Sequence, residues 1–245
     1  DSIGIVDLEG HQWPKRIISG DDFYMQPAWH PDGDRLAFIA WNHPQMPWDG
    51  CELRLATLNQ VVLGLPDVDT VDKLAGGTDV AVFQPTFSPD GRYLAYVSDK
   101  TGWGQIYVYD ISHREHRQVT VDQAEHARPA WTQGMRTLAW SSDSRLIFAL
   151  RNQGGRVDLW RYTIDGAGEP LKNGMNFSGF ECITAAPIND TLACVASAST
   201  IPPCVVTFAP HGKEKPQVIF RSLPHKDCSD TFSEASSLSW RSTND

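Results

Sequence analysis

The sequence predicts an all-β fold, a β-propeller built from four-stranded antiparallel blades. Three observations carry this expectation. A thirteen-residue unit repeats along the chain, its copies recur about every fifty residues, and no stretch keeps a 3.6-residue apolar period over ten or more positions.

The repeat is clearest in two copies. Gln26-Pro27-Ala28-Trp29-His30-Pro31-Asp32-Gly33-Asp34-Arg35-Leu36-Ala37-Phe38 matches Gln84-Pro85-Thr86-Phe87-Ser88-Pro89-Asp90-Gly91-Arg92-Tyr93-Leu94-Ala95-Tyr96. Weaker copies follow. Arg128-Pro129-Ala130-Trp131 precedes Ser142-Asp143-Ser144-Arg145-Leu146, and Ile188-Asn189-Asp190-Thr191-Leu192 is a fourth. Leu36, Leu94, Leu146 and Leu192 align, which sets a period in the range of propeller blades.

Each unit reads as strands and turns. Pro-Asp-Gly is turn chemistry: Pro fixes φ, Asp caps the loop and Gly takes a positive φ. The flanks alternate or are β-rich, as in Arg35 to Ala40 and Gln105 to Ile111. Asp99-Lys100-Thr101-Gly102 is a second turn, Ser112 to Glu115 a third, and Arg117-Gln118-Val119-Thr120 a short outer strand. Four antiparallel strands make a blade. A two-sheet sandwich also has many short strands but does not predict a repeated Pro-Asp-Gly unit.

Blade units are expected near residues 23–60, 83–120, 127–172 and 179–221. Residues 2–18 read as outer strands of a preceding blade, and residues 236–241 as the start of a further strand. About four to five blades with ragged ends leave strand edges open, which points to a fragment of a larger propeller or to self-association through those edges. The aromatic residues Trp29, Phe87, Trp131, Phe38 and Tyr96 fall on strand positions and are expected in the core.

Composition narrows the function classes. The formal charge is −9, with 21 basic and 30 acidic residues and no Lys/Arg cluster, which disfavours nucleic acid and anionic membrane as partners. No window reaches the roughly eighteen apolar residues of a membrane span. Five cysteines, Cys51, Cys182, Cys194, Cys204 and Cys228, show no zinc spacing and are expected as reduced thiols. Cys194 and Cys204 flank Ser199 to Pro203, so one bridge between paired strands is the alternative there. The first residue, Asp1, leads straight into an alternating strand with no signal peptide in view, and a cytoplasmic location is expected.

The segment Trp41-Asn42-His43-Pro44-Gln45-Met46-Pro47-Trp48-Asp49-Gly50-Cys51-Glu52-Leu53, with Asp22-Phe23-Tyr24 before it, resembles the propeller of prolyl-oligopeptidase-type serine peptidases, in the branch of acylaminoacyl peptidases and dipeptidyl peptidases. Phe83-Gln84-Pro85 through Trp103 is similar to the next blade of that family. The resemblance covers essentially the whole chain. It implies a propeller of about seven blades preceding an α/β-hydrolase domain, with this chain as roughly its second half and peptides as the parent's substrates. The generic Pro-Asp-Gly repeats also resemble TolB-like propellers that serve as protein-binding scaffolds, the alternative reading.

Catalytic residues are not expected here. A hydrolase domain brings a G-x-S-x-G elbow, and no glycine in this chain has serine two residues later. His113-Arg114-Glu115-His116 is not H-E-x-x-H and sits at a turn; Asp32, Asp90 and Asp143 recur and read as loop caps. No cofactor and no metal are expected. A propeller-fold glycosidase or lactonase would need converging carboxylates or metal ligands, and no unique cluster stands out.

Blade geometry places the functional surface. In an up-and-down blade the Pro-Asp-Gly loops lie on one face. The loops between second and third strands, and the linkers between blades, lie on the other. The resembled family turns that second face toward the hydrolase and its substrates. His43, Met46, Trp48 and Asp49 of the insert are therefore the leading candidates for interdomain contact or substrate confinement, with Phe23, Tyr24, Phe83, Trp103, Glu125 and His126 behind them. An acidic group on this face could hold a peptide amine through a charge-assisted hydrogen bond. The plainer reading is that the insert packs its own Trp and Met over the blade edge.

Overall fold

A computed structural model describes residues 1–59, 64–171, 177–210, 215–223 and 232–243. Strands dominate it, and the described residues include no α-helix. A two-stranded hairpin comes first, β1 (Ser2–Ile5) with β2 (Lys15–Ser19). Four antiparallel sheets of four strands follow. The first holds β3 (Phe23–Trp29), β4 (Arg35–Trp41), β5 (Glu52–Asn59) and β6 (Asp67–Gly76). The second holds β7 (Val82–Phe87), β8 (Tyr93–Ser98), β9 (Gln105–Asp110) and β10 (Glu115–Gln118). The third holds β11 (Leu138–Trp140), β12 (Leu146–Gln153), β13 (Arg156–Thr163) and β14 (Gly168–Pro170). The fourth holds β15 (Gly179–Ala185), β16 (Leu192–Ala198), β17 (Ile201–Phe208) and β18 (Gln217–Arg221). Strand order within each sheet is sequence order, the up-and-down blade of a propeller.

The blades pack face to face, which explains why their middle strands are apolar on both sides. Leu94, Ala95, Tyr96 and Val97 of β8 are all buried, as are Leu36 to Ala40 of β4. One core joins the first three blades through Ile39, Leu53, Phe83, Leu94, Ile106, Tyr107, Leu138 and Ile147. A second, around Phe148, Leu159, Phe180 and Leu192, joins the third and fourth. Each such side chain withdrawn from water contributes about 1.5–3 kcal/mol.

The Pro-Asp-Gly loops are built alike. Ser88 Oγ donates to Asp90 Oδ1 at 2.6 Å and accepts the Tyr93 N–H at 3.0 Å; Ser141 does the same with Asp143 and Leu146 at 2.7 and 2.9 Å. Gly33 and Gly91 take φ +72°, which an L side chain resists.

The innermost strands carry a second device. Gln26 and Gln84 adopt φ of 51° and 49° at a register shift in β3 and β7. These bulges swing each glutamine sideways into a neighbour. The Gln84 amide accepts the N–H groups of Thr137 and Leu138 at 2.5 and 3.2 Å and donates to Leu138 O at 2.7 Å. Gln26 Oε1 accepts the Gln84 N–H at 2.7 Å. The inner strands surround an axial cavity of about 580 Å³ lined by Gln26, Gln84, Met135, Arg136 and Thr184, among others.

Several expectations need correction. The first strand of the third blade is Leu138–Trp140, so Trp140 (5% exposed), not Trp131, is the counterpart of Phe87. Trp131 lies outside the strands and is 67% exposed, and Trp29 is 47% exposed, so neither belongs to the core. Phe38, Tyr96 and Phe87 are buried as expected. The first blade runs on past residue 60, because its edge strand is Asp67–Gly76. The outer strand of the second blade is Glu115–Gln118, two residues earlier than expected. Residues 236–241 are not in a strand. Cys51, Cys182, Cys194 and Cys204 are free thiols, with no bridge between the latter two; Cys228 lies outside the described residues.

Candidate functional site

The face opposite the Pro-Asp-Gly loops gathers the insert after β4, the turn after β8 and the linkers between blades. The insert is held by its neighbours. The Asp22 and His43 N–H groups donate to Asn42 Oδ1 (2.8 Å) and Asp22 Oδ2 (2.9 Å), tying the insert to the linker before β3. Asp49 Oδ2 accepts the Met46 N–H at 3.2 Å, and Gly50 N–H reaches Met46 O at 3.1 Å, a compact turn. Gly50 lies so close to the next linker that a Cβ would stand 2.1 Å from Thr78 O. Cys51 Sγ, buried, sits 3.3 Å from the carbonyls of Pro47 and Val82, and burial pushes its thiol up to about 11.

Charged side chains brace the same corner. Arg54 binds Asp21 at 2.6 Å and Glu52 at 2.9 Å, and Lys73 binds Glu52 at 2.8 Å. Burial opposes ionisation of Asp21, but hydrogen bonds from Asn42 and Arg54 outweigh it and hold the carboxyl below its ordinary value.

The insert then reaches across the second blade. The Trp48 ring lies 4.3 Å, centroid to centroid, from the ring of Trp131 in the linker before β11. The first and third blades are thereby joined over the second. Against Trp48 lies a cavity of about 360 Å³. Its walls are Pro47, Trp48, Phe83, Val97 and Pro129, with Asp99, Glu125, Arg128 and Asn152 supplying the polar groups.

The two carboxylates are fixed by backbone. Asp99 Oδ1 accepts the Ala81 N–H at 2.8 Å, and Glu125 Oε2 accepts the Gly104 N–H at 2.8 Å. Burial pushes the Asp99 carboxyl up, against the backbone hydrogen bonds that favour its charged form. Neither carboxylate is in an ion pair among the described residues. Arg128 is in one, with Glu181 at 2.8 Å.

The candidates from sequence divide accordingly. Trp48, Phe83 and Glu125 meet at the cavity. His43, Met46 and Asp49 are exposed on the insert above it. Trp103, half-exposed, sits in the turn beside Gly102 and Gly104 of the cavity wall. Phe23 is partly exposed and stacks on Trp41 at 5.3 Å. Tyr24 is buried, its hydroxyl spent on Asp21. His126 is buried too: its ring bridges Gly104 O (3.1 Å) and Tyr162 OH (3.0 Å), so it latches two blades and faces no solvent.

Asp99 as a cavity residue, and Trp131 as the partner of Trp48, were not among the candidates read from sequence. Asp99 carried a signal, since its turn was placed on this face. Trp131 carried a misleading one, the Arg-Pro-Ala-Trp likeness to an inner strand.

The sequence model of the TolB beta propeller domain, PD40, matches residues 2–170. No curated protein sequence matches the chain. Among solved structures, the chain is similar to a puromycin-hydrolysing peptidase of Mycobacterium tuberculosis, with TM-score 0.75 and 24% identity over 86% of this chain and 31% of that one. It is similar to TolB from Acinetobacter baumannii, with TM-score 0.64 and 21% identity over 90% of this chain and 49% of that one. Prolyl oligopeptidase B from Galerina marginata gives TM-score 0.60 and 12% identity over 85% and 28%. The chain thus spans about a third of the length of these peptidases and half of that TolB. At such identities the likeness establishes the propeller fold.

Proposed function

This chain belongs to the TolB beta propeller domain family, and from that premise we propose that it is the non-catalytic propeller segment of a serine peptidase. It gates peptide substrates and docks against an α/β-hydrolase domain that these 245 residues do not contain. The observation that carries the reading is the convergence of the insert (residues 42–50), the turn at residues 99–104 and the linker at residues 125–130 around one cavity on one face. Scaffolding loops alone have no need to meet across three blades. The structural likeness to peptidases of three times this length supports it. The His-Pro-x-Met-Pro-Trp-Asp-Gly segment supports the acylaminoacyl and dipeptidyl peptidase branch.

In this arrangement the propeller contributes surface and exclusion. His43, Met46 and Asp49 meet the hydrolase, while Trp48, Phe83 and Glu125 bound the space a substrate crosses. Ile219 and Phe220 on β18, both exposed, fit a surface that a further blade covers.

The test is to read the coding sequence past residue 245 and to express the longer product. A G-x-S-x-G elbow followed by Asp and His is expected, with a fluorophosphonate probe labelling the long product and not the 245-residue chain. Labelling of the short chain, or no elbow downstream, overturns the reading.

A second reading, a TolB-like protein-binding scaffold, is favoured by the family match and by the likeness to TolB from Acinetobacter baumannii. A secretion leader upstream with no hydrolase downstream would establish it in place of the first.

A further inference from the structure

We propose that the axial cavity is a binding site for a small organic anion, a carboxylate carried on an aromatic or branched aliphatic group. It shares no lining residue with the cavity against Trp48. It does not rest on the docking reading and is tested on this chain alone, so either can fail while the other stands.

A relay of backbone caps leaves one group over. Gln26, Gln84 and Cys182 each open a bulge in an inner strand, with φ of 51°, 49° and 54° at matching register shifts in β3, β7 and β15. The Gln26 N–H donates to Gln133 Oε1 at 3.1 Å, and the Gln84 N–H donates to Gln26 Oε1 at 2.7 Å. In the third blade Thr137 takes the same place, since its N–H donates to Gln84 Oε1 at 2.5 Å. The series stops there. The Thr137 hydroxyl turns back to Gln84 Oε1 at 3.4 Å, and no side chain among the described residues accepts the Cys182 N–H. By the geometry of the other bulges that N–H points at the third blade, whose Arg136 lines the cavity.

Charge sets the sign of the ligand. Although the chain carries −9 overall, no carboxylate lines the axial cavity, and the charged residue in its lining is Arg136. Arg136 is exposed and in no ion pair among the described residues. The cavity therefore attracts an anion. A carboxylate matches the remaining donors: one oxygen pairs with the guanidinium, and the other accepts the Cys182 N–H, as a glutamine oxygen does in the earlier blades. The Thr184 hydroxyl, on the same wall, is a further donor. About 580 Å³ lies within the range of small-molecule sites. Pro27, Trp29, Pro85, Met135 and Ile183 supply apolar walls that suit a hydrocarbon group and give a bare inorganic anion nothing.

The probe is 3-phenylpropionate, titrated into the 245-residue chain with calorimetry and amide nuclear magnetic resonance as readouts. Saturable binding is expected, with the uncharged isostere 3-phenylpropionamide at least about tenfold weaker. The Cys182 amide resonance should move with the calorimetric midpoint. Arg136→Gln removes an exposed, unpaired charge and so leaves the unfolding midpoint in place, yet it weakens the acid about tenfold and leaves the amide compound unchanged. Far-UV circular dichroism checks that the variant folds. The proposal is overturned if acid and amide bind alike, if Arg136→Gln leaves acid affinity unchanged, if the Cys182 resonance stays fixed at saturation, or if no saturable binding occurs up to about 10 mM.

Discussion

Nε2 of His30 donates to the carbonyl oxygen of Gly91 at 2.8 Å, joining the Pro-Asp-Gly loops of adjacent blades. Two equivalent links follow around the ring: Asp90 N–H to Ser144 Oγ at 3.1 Å, and Ser142 N–H to Asp190 Oδ1. Each loop thus holds the next at the same place, although the side chains differ.

The close approach of His30 separates two glycines that share a conformation. Gly33 and Gly91 both have φ +72°. A Cβ on Gly33 meets nothing within 4 Å, whereas on Gly91 it stands 2.6 Å from His30 Nε2. Gly33→Ala is expected to cost about 1–2 kcal/mol, the left-handed backbone penalty alone. Gly91→Ala should cost about 2–4 kcal/mol, because it also displaces the buried imidazole. Urea unfolding of both variants measures the gap, and adding His30→Ser to Gly91→Ala should narrow it.

The Gln84 amide closes three buried backbone groups at Thr137 and Leu138. Gln84→Ala leaves all three unpaired, at about 1–3 kcal/mol for each group. A loss of about 3–5 kcal/mol is expected in equilibrium unfolding. Gln84→Glu should be comparably harmful, since a carboxylate cannot donate to Leu138 O and faces it with like polarity. Gln26→Ala should cost less, because Gln26 is half-exposed.

Trp131 belongs to a strap, residues 128–136, that leads from the second blade into the third and is pinned to the first. Besides the ring contact with Trp48, Gln133 Nε2 donates to Tyr24 O at 3.1 Å and Gln133 Oε1 accepts the Gln26 N–H at 3.1 Å. Trp131→Ala is expected to cost less than about 1.5 kcal/mol, as befits a 67% exposed side chain, against about 3–5 kcal/mol for the buried Phe83→Ala. Trp131→Ala with Gln133→Ala should free the strap and hasten tryptic cleavage at Arg136 while the unfolding midpoint moves little. Unchanged cleavage would mean the strap is held elsewhere.

The blade count and the loop chemistry were readable because Pro-Asp-Gly has one physical job wherever it occurs. The third blade was misplaced because Arg128-Pro129-Ala130-Trp131 imitates the inner-strand pattern, while the true strand starts at Leu138, past the strap. Ser141-x-Asp143 was the better marker, since it repeats the Ser88-x-Asp90 cap. The edge strand Asp67–Gly76 escaped notice because it is largely exposed and carries Asp67, Asp69 and Asp72, so burial left no pattern there. Repeated Gln-Pro was visible at residues 26 and 84, but its meaning was not: glutamine is not a residue that announces a positive φ. The cavity depended on contacts across three blades, which no single repeat encodes.

His126 makes the fold sensitive to acid. Its wholly buried ring donates from Nδ1 to Gly104 O and accepts at Nε2 from Tyr162 OH, an arrangement that requires the neutral form. Asp122, 4.0 Å away, favours the charged form but is itself engaged by Arg151, and burial prevails, pushing the imidazole down to about 4. An unfolded histidine titrates near 6.5. Between those values the unfolded chain takes up a proton that the folded chain refuses, so stability is full above about pH 6.5 and is lost as pH falls toward 4. The loss is about 3 kcal/mol, levelling off below the folded value. His116, also lowered chiefly by burial, adds a slope of the same sign, so the comparison must be made against His126→Gln. Urea unfolding of both proteins at intervals from pH 7 to 4 should show the wild-type chain losing stability faster than the variant. Parallel curves would place the acid sensitivity outside this latch.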